Sequence, residues 1–158
     1  MSLPNIAAIV QQAANQGVNY NETTKGGSYA PPAAGVAIVT LVSYIELGMH
    51  ASSHQGKPKP PAPKAVFVFE LRSKNHSVAV GDDGKVKVER IGIEVTLSGH
   101  EKAKFVKLFK QLNYDQSATH PAQLVGKHWL GRVVHSKSAD GSRTFANLED
   151  EAGFTFSP

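Results

Sequence analysis

In "KAVFVFELR", Lys64 to Arg72, apolar bulk falls on every second residue. Ala65, Phe67, Phe69 and Leu71 lie on one side, and Lys64, Val66, Val68, Glu70 and Arg72 on the other. That period commits the segment to a strand with one buried face. Upstream, "VAIVTLVSYIEL" (Val36 to Leu47) has the same period. Ala37, Val39, Leu41, Ile45 and Leu47 share a face, with Ser43 the exception. The other face, Val36, Ile38, Thr40, Val42, Tyr44 and Glu46, turns polar toward its end. Downstream, "KVKVERIGIEVTL" changes phase: Val86 and Val88 are even-numbered, whereas Ile91, Ile93, Val95 and Leu97 are odd. A two-residue period cannot change face without an irregularity, so a bulge or bend is predicted near Glu89 and Arg90.

Helical signals are fewer. "SGHE" (Ser98 to Glu101) fits a capping box, followed by a stripe of Phe105, Leu108, Phe109 and Leu112, with Lys102, Lys104, Lys107 and Lys110 on the remaining surface. "THPAQLVG" predicts a short helix started by Pro121 and stopped by Gly126. "KHWLGRVVHS" is extended, "KSADGS" carries an Asp140-Gly141 hairpin signal, and "RTFANLE" and "GFTFS" close the chain. "GDDG" (Gly81 to Gly84) marks a further turn. Near the N-terminus, Leu3, Ile6, Ile9, Val10 and Ala13 have helical spacing over Leu3 to Gln16. Asn15 to Gly35 reads as an extended connector.

The chain thus divides into a helical appendage with connector, residues 1–34, and a domain, residues 35–158. The domain is expected to be mainly β (α+β): a five-stranded OB-like barrel with a helix between strands three and four. Another small β-barrel or a new mixed fold fits the same order. In an OB barrel, ligand crosses strands two and three between the first-to-second and fourth-to-fifth loops. Here those are the Gly48–Pro63 stretch and "KSADGS", both bearing lysine.

Composition narrows the function. Lys plus Arg number 17 against 13 Asp plus Glu, a net charge of +4 with a pI near 9.3. That suits a surface for polyanions without proving one. The absence of cysteine excludes disulfide frameworks, thiolate zinc sites and cysteine nucleophiles, and fits a reducing compartment. The N-terminus lacks the charged start of a signal peptide, and no apolar run approaches the ~20 residues of a membrane span. The expectation is a soluble, intracellular protein.

The charged stretch "QGKPKPPAPK" (Gln55 to Lys64) strings lysines between prolines, whose stiffness spaces the charges along an extended backbone. Lys57, Lys59 and Lys64 are the expected phosphate contacts. Arg72, Lys74, Lys85 and Lys87 would extend the track, with Arg132, Lys137 and Arg143 on the later strand and hairpin. An ordinary solvated surface is the alternative for all of them. Among rings, Phe67 and Phe69 are assigned to the core and Tyr29 to local packing. Tyr44 is the better stacking platform, and Trp129 is either core or platform. His50 and His54 have a zinc-like spacing but no third ligand nearby, and His120 reads as a helix-start residue. No nucleophile elbow or phosphate loop is present, and the acidic groups Asp82–Asp83 and Glu149–Glu151 read as turns. Neither an enzyme nor a cofactor is expected.

The series "GGSYAPPAAGVAIVTLVSYIELGMH…QGKPKPP…VFVFEL", "EKAKFVKLFKQLNY", "HPAQLVGK" and "VVHSK…RTFANLED" resembles bacteriophage single-stranded-DNA-binding proteins from about Gly26 onward. The family's Y-x-E-L-G and G-K-x-K blocks match Tyr44 to Gly48 and Gly56 to Lys59. The resemblance implies sequence-tolerant binding of unpaired DNA in replication, recombination or transcription, in the cytoplasm of an infected bacterium. A protein that coats a strand is expected to self-associate along it as a homo-oligomer. A single-strand-binding transcription cofactor that brings a phage RNA polymerase to a melted promoter is the alternative. The chain departs from replicative relatives in lacking a long acidic tail, since "LEDEAGFTFSP" reads as a turn and final strand.

Overall fold

The structure is a computed structural model that describes residues 6–16, 30–76, 79–80, 84 and 86–158. It contains two compact units, Met1–Ala30 and Pro31–Pro158. The first holds helix α1, Ile6–Gln16, in which Gln11 Nε2 donates to Asn15 Oδ1 one turn on, at 3.1 Å. Of the predicted connector, residues 17–29 lie outside the described residues, as do most of the "GDDG" turn and Lys85. No helix among the described residues is long and apolar enough to cross a membrane.

The second unit is mainly β. Its long strands are β1 (Gly35–His54), β2 (Lys57–Arg72), β5 (Arg90–Thr96) and β6 (His128–Lys137). The short ones are β3 (Ala79–Val80), β4 (Val86–Lys87), β7 (Thr144–Asn147), β8 (Glu149–Asp150), β9 (Gly153–Phe154) and β10 (Phe156–Ser157). Helix α2 (Lys104–Leu112) and a 3-10 turn (Pro121–Leu124) lie between β5 and β6. Six strands make one antiparallel sheet in the order β10-β6-β1-β2-β5, with β7 also on β6.

Residues that alternate in sequence alternate in burial. Ala37, Val39 and Leu41 of β1, Ala65, Phe67, Phe69 and Leu71 of β2, and Ile91, Ile93 and Val95 of β5 are all buried. They close on Leu108 and Leu112 of α2 and on Leu124, Trp129, Val133, Leu148 and Phe156. Burying one such side chain stabilises by roughly 1.5–3 kcal/mol, so this cluster sets the fold. The predicted break also exists. β4 pairs with β3, Val88 and Glu89 belong to neither strand although the Glu89 carbonyl still accepts from the Leu71 amide at 2.9 Å, and β5 starts at Arg90 to pair with β2.

Four expectations need correcting. The sheet is open, not a closed barrel. Its last strand has only two residues, and α2 packs against both sheet edges, β5 and β10. Gln111 Nε2 of α2 donates to the carbonyls of Phe154 (3.0 Å) and Phe156 (2.7 Å), which meets backbone needs beside β10 without another strand. Second, the Gly48–Pro63 stretch is the outer half of a β1–β2 ribbon rather than a loop. Gln55 and Gly56, at φ 50° and 76°, form its two-residue turn. Prolines are tolerated because β5 pairs with β2 only from Lys64 on, so the missing N–H groups break no second ladder.

Third, α2 begins at Lys104 with no side-chain cap. Ser98 Oγ instead accepts from the His100 amide (3.3 Å), and His100 Nδ1 accepts from the Lys102 amide (3.2 Å). Local turns thus use the groups a capping box needs. The box occurs at the next turn, where the His120 side chain accepts from Ala122 N (3.2 Å) and Gln123 Oε1 from His120 N (2.9 Å). Fourth, β1 carries a bulge at Val42: Leu41 faces Phe69, whereas Ser43 already faces Val68. The extra residue reverses the phase. Tyr44 therefore turns to the core side, while Ile45 and Leu47, expected inside, are 47% and 40% exposed.

Candidate nucleic-acid interface

Beyond Glu46 and Ala65 the β1–β2 ribbon leaves the sheet and stands as an arm. β6 follows β1 only to Thr40, and β5 follows β2 only to Lys64. Every residue from Ile45 to Pro61 is exposed. From Leu47 to Phe69 the sequence contains no Asp or Glu, so the arm's positive charge meets no acidic side chain of its own. Lys57 stands opposite His54, and Lys59 opposite Ser52. Neither makes an ion pair with another described residue, and the same holds for Lys74, Lys137 and Arg143.

The remaining predicted cations are partly neutralised. Lys64 Nζ lies 2.6 Å from Glu94 Oε1, and this contact holds the Glu94 carboxyl below the usual carboxylate range. Arg72 donates to Glu70 at 2.8 and 3.1 Å. That hydrogen bond keeps the buried Glu70 carboxyl low against the opposing effect of burial, helped by Arg90 at 3.5 Å. Arg132 lies 2.6 Å from Asp150. Lys87 belongs to β4, but its side chain lies outside the described residues.

The predicted contacts form two groups rather than one. Lys59 is opposite Ser52 and Arg72 opposite Ile38. Along extended strand that is roughly 45 Å, at about 3.3 Å per residue. β6 runs antiparallel to β1 and passes Gly35 at Val133, so the β6–β7 turn with Lys137 and Arg143 lies at the end away from the arm's tip. The two lysine-bearing loops therefore do not face each other across one groove.

Rings are redistributed as well. Phe67 and Phe69 are in the core. So is Trp129, 3% exposed, its Nε1 donating to Leu112 O at 3.0 Å and its ring packed on Phe69 and Phe156. It offers no platform. Tyr44 sits at the arm's root with its ring edge-on to Phe67 (5.1 Å) and His120 (5.5 Å), and its Oη donates to Glu46 Oε1 at 3.0 Å. Partial burial, then the Glu46 contact, raise the phenol to about 12. The outward side chains of β2 and β5, such as Val66, Val68, Arg90 and Glu94, include no ring.

Sequence reasoning missed the root of the arm as a site, because the bulge that turns Tyr44 toward His120 leaves no pattern beyond the misplaced Ser43. His50 and His54 lie on the arm, where His50 Nε2 contacts Leu47 O at 3.1 Å. No group of three metal-ligating side chains is found among the described residues. Comparison with protein families, curated proteins and solved structures finds no match for the chain.

Proposed function

We propose that the protein is a non-enzymatic, sequence-tolerant binder of single-stranded DNA, acting in the host cytoplasm during bacteriophage infection. The observation that carries the reading is the arm: a proline-held ribbon, without acidic residues, that presents Lys57 and Lys59 to solvent. Cations held clear of carboxylates gain most from a phosphate, because no internal ion pair must first break. Arg72, Lys74, Lys137 and Arg143, at the sheet's other end, form a second contact region for a longer strand.

The topology supports an OB-like reading of the fold. The order last strand-β6-β1-β2-β5, with a helix between β5 and β6, is consistent with an OB barrel opened between its third and last strands. Self-association along the strand belongs to the same reading. The β1 edge of the arm, from Ser43 to His54, carries no proline and has no strand beside it among the described residues, which leaves it open to strand pairing with a second copy.

Fluorescence anisotropy with labelled oligonucleotides tests the proposal. It requires single strands to bind at about 100 mM salt and to outcompete duplex of the same length. Equal affinity for the two, or no binding, would refute it.

A further inference from the structure

Beside the lysines, the root of the arm borders a hollow of about 340 Å³ whose lining includes Tyr44, Glu46, Phe105, Phe109, His120 and Pro121. The Leu97 amide donates to Pro63 O at 2.8 Å and ties the wall of this hollow to the arm. The Phe105 and Phe109 rings stack at 6.0 Å, while Tyr44 meets His120 edge-on. Aromatic walls of this kind accept a flat ring. The space lies within the range of small-molecule sites.

Among the residues that line the hollow, Glu46 carries the carboxylate. Its Oε1 accepts from Tyr44 Oη at 3.0 Å and lies 3.5 Å from His120 Nε2. Its Oε2 has no partner among the described residues. The phenol stays protonated far above neutrality, so this donor keeps the carboxylate turned to one side.

An ionised carboxylate only accepts hydrogen bonds. Guanine alone among the DNA bases presents two adjacent donors, N1–H and the 2-amino group, on its pairing edge. Adenine and cytosine set an acceptor nitrogen beside their amino group, and thymine flanks its one N–H with carbonyls. Each of these would press a lone pair against a carboxylate oxygen.

We propose that the hollow takes a guanine base of the bound strand, with N1–H and the 2-amino group donating to Glu46 and the ring resting against the aromatic walls. This rests on the single-strand reading above and adds a preferred base at one position of an otherwise tolerant site.

The test compares a labelled all-dT oligonucleotide with the same strand carrying one central dG, dA or deoxyinosine, which keeps N1–H but lacks the 2-amino group. The dG strand should bind roughly tenfold tighter than all-dT, deoxyinosine should fall between them, and dA should not exceed dT. Glu46→Gln should level dG with dT, and the deoxyinosine comparison needs no variant to fold. Saturation-transfer NMR with free guanosine and thymidine removes the phosphates, and only guanosine should receive transfer. If dG and dT bind equally while all-dT still binds, the guanine site is wrong and the single-strand reading stands. If no strand binds, both fall.

Discussion

Tyr44 condenses the local chemistry into one side chain. Its neighbours penalise the phenolate, so its pKa is raised from 10.0 to about 12. A group whose folded pKa exceeds its unfolded value contributes stability that is complete below the unfolded pKa. That contribution is lost as pH rises through the window between about 10 and about 12. Ultraviolet titration of phenolate should therefore show a step near pH 12, and Tyr44→Phe should remove it. Absence of that late step, or its persistence in Tyr44→Phe, would contradict the site's geometry. Trp129 gives the converse test. As a core ring bonded to Leu112 O, it should emit as a buried indole and change little when single-stranded DNA is added. Strong quenching on binding would make it a platform after all.

At the scale of elements, the arm is separable from the core. It buries no side chain of its own between Ile45 and Pro61, so the sheet should not need it. Met49 and Pro63 are directly paired, and a two-residue Asn-Gly turn can join them in place of His50–Ala62. This variant should melt cooperatively within a few degrees of the parent, about the shift of a ~1 kcal/mol change. Its affinity for single strands should fall roughly tenfold or more, because two phosphate contacts are gone. Unchanged affinity would move the interface elsewhere.

The sequence made the inner elements legible because alternation and burial are one constraint seen twice. Phe67, Phe69 and the phase slip near Glu89 follow directly from it. The arm was legible in composition but not in form. Prolines read as a loop, although on an unpaired ribbon edge they cost no ladder bonds. The Val42 bulge and the hollow beside Tyr44 have no periodic signature beyond the misplaced Ser43. The start of α2 departs from the capping-box pattern because two local bonds, His100 N to Ser98 Oγ and Lys102 N to His100 Nδ1, form turns ahead of the helix.

For the whole molecule, the mild net charge of +4 hides an uneven distribution. Lys64, Arg72, Arg90 and Arg132 are tied to Glu94, Glu70 and Asp150, whereas Lys57 and Lys59 on the arm are not tied to any described carboxylate. Binding should therefore depend on a few unpaired lysines rather than on overall basicity, and adding salt should act mainly through them. The decisive measurement is a salt titration of single-strand affinity for the parent and for a Lys57→Ala/Lys59→Ala double variant. Each phosphate contact contributes a slope of about −0.7 in log K against log salt, so the variant's line should be flatter by about 1.4 and lie lower at low salt. Parallel lines of equal affinity would show that the arm does not hold the strand.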